Sequence, residues 1–107
     1  LSLGSSDSKI IRLFINLLKS CYGIRIKDMR ARVSYRADQD INFLQRFWSN
    51  FTNIPIDQFY KTKADPRTIG KKTNNLDYKG VCVVNVLKST KIQLELETIA
   101  DLIARKI

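Results

Sequence analysis

The sequence predicts an α+β domain: a small mixed or antiparallel sheet with helices on one face. Three observations predict it. Residues 29 to 36 alternate apolar and polar or basic side chains, the period of a half-buried strand. Residues 8 to 22 and 41 to 52 instead repeat apolar side chains at steps of three and four, the spacing of amphipathic helices. Residues 78 to 87 hold a β-branched run that suits a more buried strand near the centre of a sheet. Single helices separate the strands, so the helices are expected behind one sheet face. With 107 residues, 44% hydrophobic and 27% charged, the chain fits one folded domain and is too apolar for a disordered one.

Taken in order, Leu1 to Leu3 read as the end of a strand. Ser5, Ser6, Asp7 and Ser8 supply acceptors for a helix N-terminus, and a helix is expected from about Ser8 to Tyr22. Its apolar stripe is read as Ile10, Leu13, Phe14, Leu17, Leu18 and Cys21, with Gly23 as the left-handed cap. In the alternating strand, Met29, Ala31, Val33 and Tyr35 face the core, and Arg30, Arg32, Ser34 and Arg36 face away. Asp38 or Asp40 caps a second helix that carries Ile41, Leu44, Phe47, Trp48 and Phe51 and ends near Thr52. Pro55 opens a short helical piece, residues 59 to 63 form a short edge strand, and an exposed, mobile polar loop follows. A last helix begins at Ser89 or Thr90, with Ile92, Leu96, Ile99, Ala100, Ile103 and Ile107 as its stripe.

The two cysteines, Cys21 and Cys82, each lie in an apolar segment and read as buried free thiols. No secretory leader pattern occurs, and no apolar run approaches the roughly 20 residues that span a bilayer. An intracellular, cytoplasmic chain with no membrane partner is therefore expected. The chain opens on Leu1-Ser2-Leu3-Gly4 rather than Met, which suggests a processed product or a fragment of a longer protein.

Charge is focused. Nineteen Lys and Arg against ten Asp and Glu give a formal net charge of +9. Residues 23 to 36 hold five basic and one acidic group, and residues 59 to 80 hold six and two, so these stretches carry +8 of it. The row of Arg30, Arg32 and Arg36 should line the uncovered sheet face beside a loop carrying Lys61, Lys63, Arg67, Lys71, Lys72 and Lys79. Such a platform neutralises phosphates and gives salt-sensitive affinity. Strand arginines also suit base edges in a major groove. Single-stranded binders usually add aromatic platforms; Tyr60 and Tyr78 are candidates, but Phe14, Phe43, Phe47, Trp48 and Phe51 are read as core, so duplex is favoured. A solvated strand face beside an ordinary charged loop would show the same pattern.

The chain has no histidine, which removes the commonest general base and most zinc-site designs. No phosphate-cradling or dinucleotide glycine motif occurs. Asp65 with Asp77-Tyr78-Lys79 resembles the acidic pair and lysine of one metal-dependent nuclease class, with turn aspartates as the plain alternative. No catalytic or metal-binding residue is assigned.

Three blocks carry a family resemblance: Ser6-Asp7-Ser8-Lys9-Ile10-Ile11-Arg12-Leu13-Phe14; Phe47-Trp48-Ser49-Asn50-Phe51-Thr52-Asn53-Ile54-Pro55 with Gln58-Phe59-Tyr60-Lys61; and Tyr78-Lys79-Gly80-Val81-Cys82-Val83-Val84. In order and spacing they resemble the C-terminal part of prokaryotic proteins related to LAGLIDADG homing endonucleases. The resemblance implies a homing-endonuclease-like fold, with a saddle-shaped sheet on the DNA major groove and helices behind it. In that family an acidic residue at the end of the signature helix holds the catalytic metal, and the helix forms the dimer seam. No segment here matches that helix, and the helix at 39 to 52 stands between strands that follow one another directly in standard members. Cleavage, metal binding and the dimer seam are therefore not carried over. A dimer contact, or a missing segment before Leu1, is the further partner implied, and Mg²⁺ belongs to the parent protein if that is a nuclease.

The leading expectation is a double-stranded DNA-binding module that needs no cofactor of its own. The alternatives are a metal-dependent DNA endonuclease and a protein-interaction domain for an acidic partner.

Overall fold

The computed structural model describes residues 1 to 75 and 77 to 87, together with Leu94, Glu97, Thr98, Ile99, Asp101, Leu102 and Ala104. It is α+β, with a three-stranded antiparallel sheet packed on helices, and its main elements are β1 (Ser2–Ser5), α1 (Ser8–Tyr22), β2 (Met29–Ser34), α2 (Ile41–Thr52) and β3 (Val81–Val86). The strand order is β1-β3-β2, so the β-branched run is central, as its composition predicts. Of the expected C-terminal helix, Ser89, Thr90, Ile92, Leu96, Ala100, Ile103 and Ile107 lie outside the described residues.

Both helices start and stop where side-chain chemistry directs. Asp7 caps α1 by accepting from the Lys9 N–H at 2.9 Å. Gly23 ends it at φ 63, its N–H donating to the Lys19 carbonyl at 3.2 Å. Of the two candidate caps for α2, Asp40 is the one used, accepting from the Asn42 N–H at 2.9 Å. Pro55 precedes a short 3-10 turn at Ile56–Gln58, in line with the helical piece expected there.

One face of the sheet meets both helices. Register aligns Met29 with Val86, Ala31 with Val84 and Val33 with Cys82, and all six are buried. Ile11, Ile15 and Leu18 of α1, Leu44 and Trp48 of α2, and Ile54 and Phe59 from the chain that follows α2 join this core. Trp48 is fully buried, and its indole N–H donates to the Lys79 carbonyl at 2.9 Å, so the polar end of the ring is satisfied.

Several expectations change. The buried stripe of α1 is Ile11, Ile15 and Leu18, whereas Ile10, Leu13, Leu17 and Cys21 are exposed. This helix carries two overlapping apolar stripes, and periodicity alone does not say which one meets the sheet. Cys21 is thus no buried thiol; Cys82 is. Phe43, expected in the core, is 51% exposed. The strand beginning at Met29 ends at Ser34, two residues before Arg36.

Residues 59 to 65 run beside the outer edge of β2 without forming a named strand. Isolated parallel bridges join Ala31 to Phe59 and Arg36 to Asp65. Tyr60 N donates to Ala31 O at 2.8 Å, Thr62 Oγ1 to Val33 O at 2.8 Å, and Asp65 N to Tyr35 O at 3.0 Å. A side-chain hydroxyl stands in for the backbone donor at the middle position, which breaks the ladder while still covering the edge.

Candidate nucleic-acid interface

The other face of the sheet follows from the same register. Its cross-strand rows are Ser2–Asn85–Arg30 and Gly4–Val83–Arg32, followed by Val81–Ser34. Ser2, Gly4, Arg32 and Ser34 are exposed, and none of these outward strand positions is acidic. The strand residues that pack with α1 and α2 in the core are the alternate ones, so both of these helices lie on the opposite face.

The three arginines differ in how they are held. Arg30 is half-buried and its Nη1 donates to the carbonyls of Lys27 and Met29, both at 2.8 Å, which pins the guanidinium to the start of β2. Arg32 is exposed, and its side chain makes no hydrogen bond or ion pair among the described residues. Arg36 lies past the strand end, half-buried, with its Nε enclosed and lacking a hydrogen-bond partner among the described residues. Arg30 and Arg32 therefore share the open face, and Arg36 stands at its end.

The basic loop is exposed, as expected, but it is fastened rather than free. Thr68 Oγ1 accepts from the Ala37 N–H at 2.8 Å and donates to Asp65 O at 2.6 Å. Asp38 accepts from both the N–H and the hydroxyl of Thr73, each at 2.6 Å. These two bonds hold the Asp38 carboxyl below the ordinary carboxylate range. Gln39 reaches across to Tyr78 O at 2.7 Å.

On this loop Lys61, Lys63, Lys71 and Lys72 are exposed. Arg67 is exposed too, but it grips both carboxylate oxygens of Asp65, at 3.1 and 3.0 Å. That grip lowers the Asp65 carboxyl and raises the Arg67 guanidinium. Lys79 turns toward α2, its Nζ 5.8 Å and 5.7 Å from the ring centroids of Phe43 and Phe47. It is thus set apart from Arg32 and the loop lysines. Among the described residues no three His, Cys, Asp or Glu side chains gather as a metal-binding group.

Two hollows flank the arginines. A smaller one, of about 220 Å³, lies on the open face among Ser2, Arg30, Arg32, Tyr60, Val83 and Asn85. A larger one, of about 510 Å³, opens where β2 ends, and its walls include Arg36, Lys72, Tyr35, Tyr78 and Asn75. Sequence reading missed Asn85, Tyr35 and Asn75 as parts of this surface. Asn85 did leave a signal, a polar residue at an outward position of an otherwise apolar strand; nothing in the sequence marks Tyr35, which continues the core-facing alternation.

No family model, curated protein or solved structure matches this chain. Among the described residues no helix is long and apolar enough to cross a membrane.

Proposed function

We propose that this chain is a double-stranded DNA-binding module that meets the duplex with its uncovered sheet face and the loop bearing Lys61, Lys63, Lys71 and Lys72. The observation that carries the reading is the open face itself: outward strand positions that include Arg30 and Arg32, no acid among them, with α1 and α2 both packed on the opposite face. A phosphate backbone supplies the complementary charge and releases counterions on contact. Arg32, whose side chain has no partner among the described residues, is the side chain best placed to reach a base edge or a phosphate. Arg30, pinned by two carbonyls, acts as fixed positive charge beside Tyr60 and Asn85. Loop lysines add sequence-independent affinity.

The homing-endonuclease-like resemblance supports the same docking, a sheet against the major groove with helices behind. Cleavage is left out of the proposal, since Arg67 engages both oxygens of Asp65, the aspartate a metal would need.

Titrating a labelled duplex across a range of salt concentrations tests the reading. Affinity should fall steeply with salt, and each phosphate contact removed should reduce the slope of log K against log salt by about one. The double variant Arg30→Glu/Arg32→Glu should weaken binding by about tenfold or more, equivalent to about 1.4 kcal/mol. Unchanged affinity in that variant would sink the sheet-face reading, and failure to bind any duplex at low salt would return the chain to the protein-interaction class.

A further inference from the structure

We propose that the hollow at the end of β2 takes one unpaired nucleotide of the bound DNA, its phosphate on Arg36 and Lys72 and its base against Tyr78. The inference rests on the duplex reading above and adds a preference that a flat basic face alone would not have. About 510 Å³ is open there, room for one nucleotide, and an unpaired nucleotide enters without the unpairing and unstacking cost that a base of the intact duplex would meet.

Charge in the hollow favours a phosphate. Asp65 lies within it and Asp38 stands close enough to feel Arg36, but Asp65 is bonded to Arg67 and Asp38 to Thr73. Lys72 is exposed and Arg36 lines the hollow, and neither makes an ion pair among the described residues, so positive charge is left there for a phosphate. The walls also hold what a base requires. Tyr78 is half-buried, lines the hollow with its backbone carbonyl held by Gln39, and supplies an aromatic ring for stacking, while the Asn75 amide, whose oxygen accepts from the Asp77 N–H at 2.9 Å, has its NH2 to donate.

The test compares a fully paired duplex with the same duplex carrying one extrahelical 2-aminopurine deoxynucleotide. The bulged duplex should bind about tenfold more tightly, the effect of one base stacked on an aromatic ring. Its 2-aminopurine fluorescence should be quenched on binding. Tyr78→Ala and Arg36→Gln should each bring the ratio of the two affinities toward one, and Tyr78→Phe should preserve it. Equal affinity for the two duplexes with unquenched fluorescence in the native chain overturns this inference and leaves duplex binding intact. Binding of neither duplex overturns both.

Discussion

Along β2, Met29, Ala31 and Val33 are enclosed by α1 and α2, while Arg30, Arg32 and Ser34, each one residue away, face the uncovered side. The two faces share one backbone, and only the period-two alternation separates a dry core from a charged surface. Burial therefore decides what each position tolerates: the first face is set by shape and volume, the second by charge. The cost of a charged side chain should be large on one face and negligible on the other.

Exchanging side-chain types across the strand gives the largest expected contrast. Ala31→Arg places a long cation at a position 1% exposed, and overpacking with an unpaired buried charge should destabilise by about 4 kcal/mol or more. Arg32→Ala should change stability by no more than about 0.5 kcal/mol. Urea unfolding of the two variants checks this, and comparable losses would erase the distinction between the faces.

A smaller loss is expected at the roof of the covered face. Trp48→Phe keeps most of the buried ring but removes the N–H that satisfies Lys79 O. The lost volume and an unpaired carbonyl should together cost about 2 kcal/mol by the same measurement. A neutral result would mean that water reaches that carbonyl and that the roof is less closed than its zero exposure indicates.

How much of this was legible beforehand depended on whether a signal was local. The extent of α1, its Gly23 cap, the alternation of β2 and the central place of β3 follow from short-range chemistry, and all appear in the structure. The face of α1 is legible only in part: Leu18 is buried and Phe14 packs on the core as expected, but Ile10, Leu13 and Leu17 compete with Ile11 and Ile15, and only packing against the sheet chooses between them. The same ambiguity put Cys21 in the core. At the candidate site, the charge of the open face was readable from spacing. The turning of Lys79 toward Phe43 and Phe47 and the hollow at Arg36 depend on contacts between residues distant in sequence, which no local pattern encodes, whereas Arg30 is pinned locally, by the carbonyls of Lys27 and Met29.

The two cysteines make the comparison chemical. Burial pushes the Cys82 thiol up to about 12, whereas Cys21 is open to solvent. A thiol reagent should modify Cys21 in the native chain and Cys82 only after unfolding. The raised thiol contributes its full stability below the unfolded-state value, and that contribution is lost as pH rises through this value toward about 12. Native-state modification of both thiols at equal rates would show the covered face to be open.

The smallest effect belongs to the exposed side, in the fastening of the loop. Asp38 has its carboxyl lowered by two bonds from Thr73, so its contribution is present above the ordinary carboxylate value and is lost as pH falls through the lowered one. Protonation should release Thr73 while leaving the core intact, because none of the core side chains titrates in acid. Amide exchange or proton chemical shifts at Thr73 should then respond to acid before those of Val84 do, and Asp38→Asn should weaken the fastening at neutral pH. If Thr73 and Val84 respond together, the loop and core unfold as one unit, and the basic surface is held by the same cooperativity as the sheet beneath it.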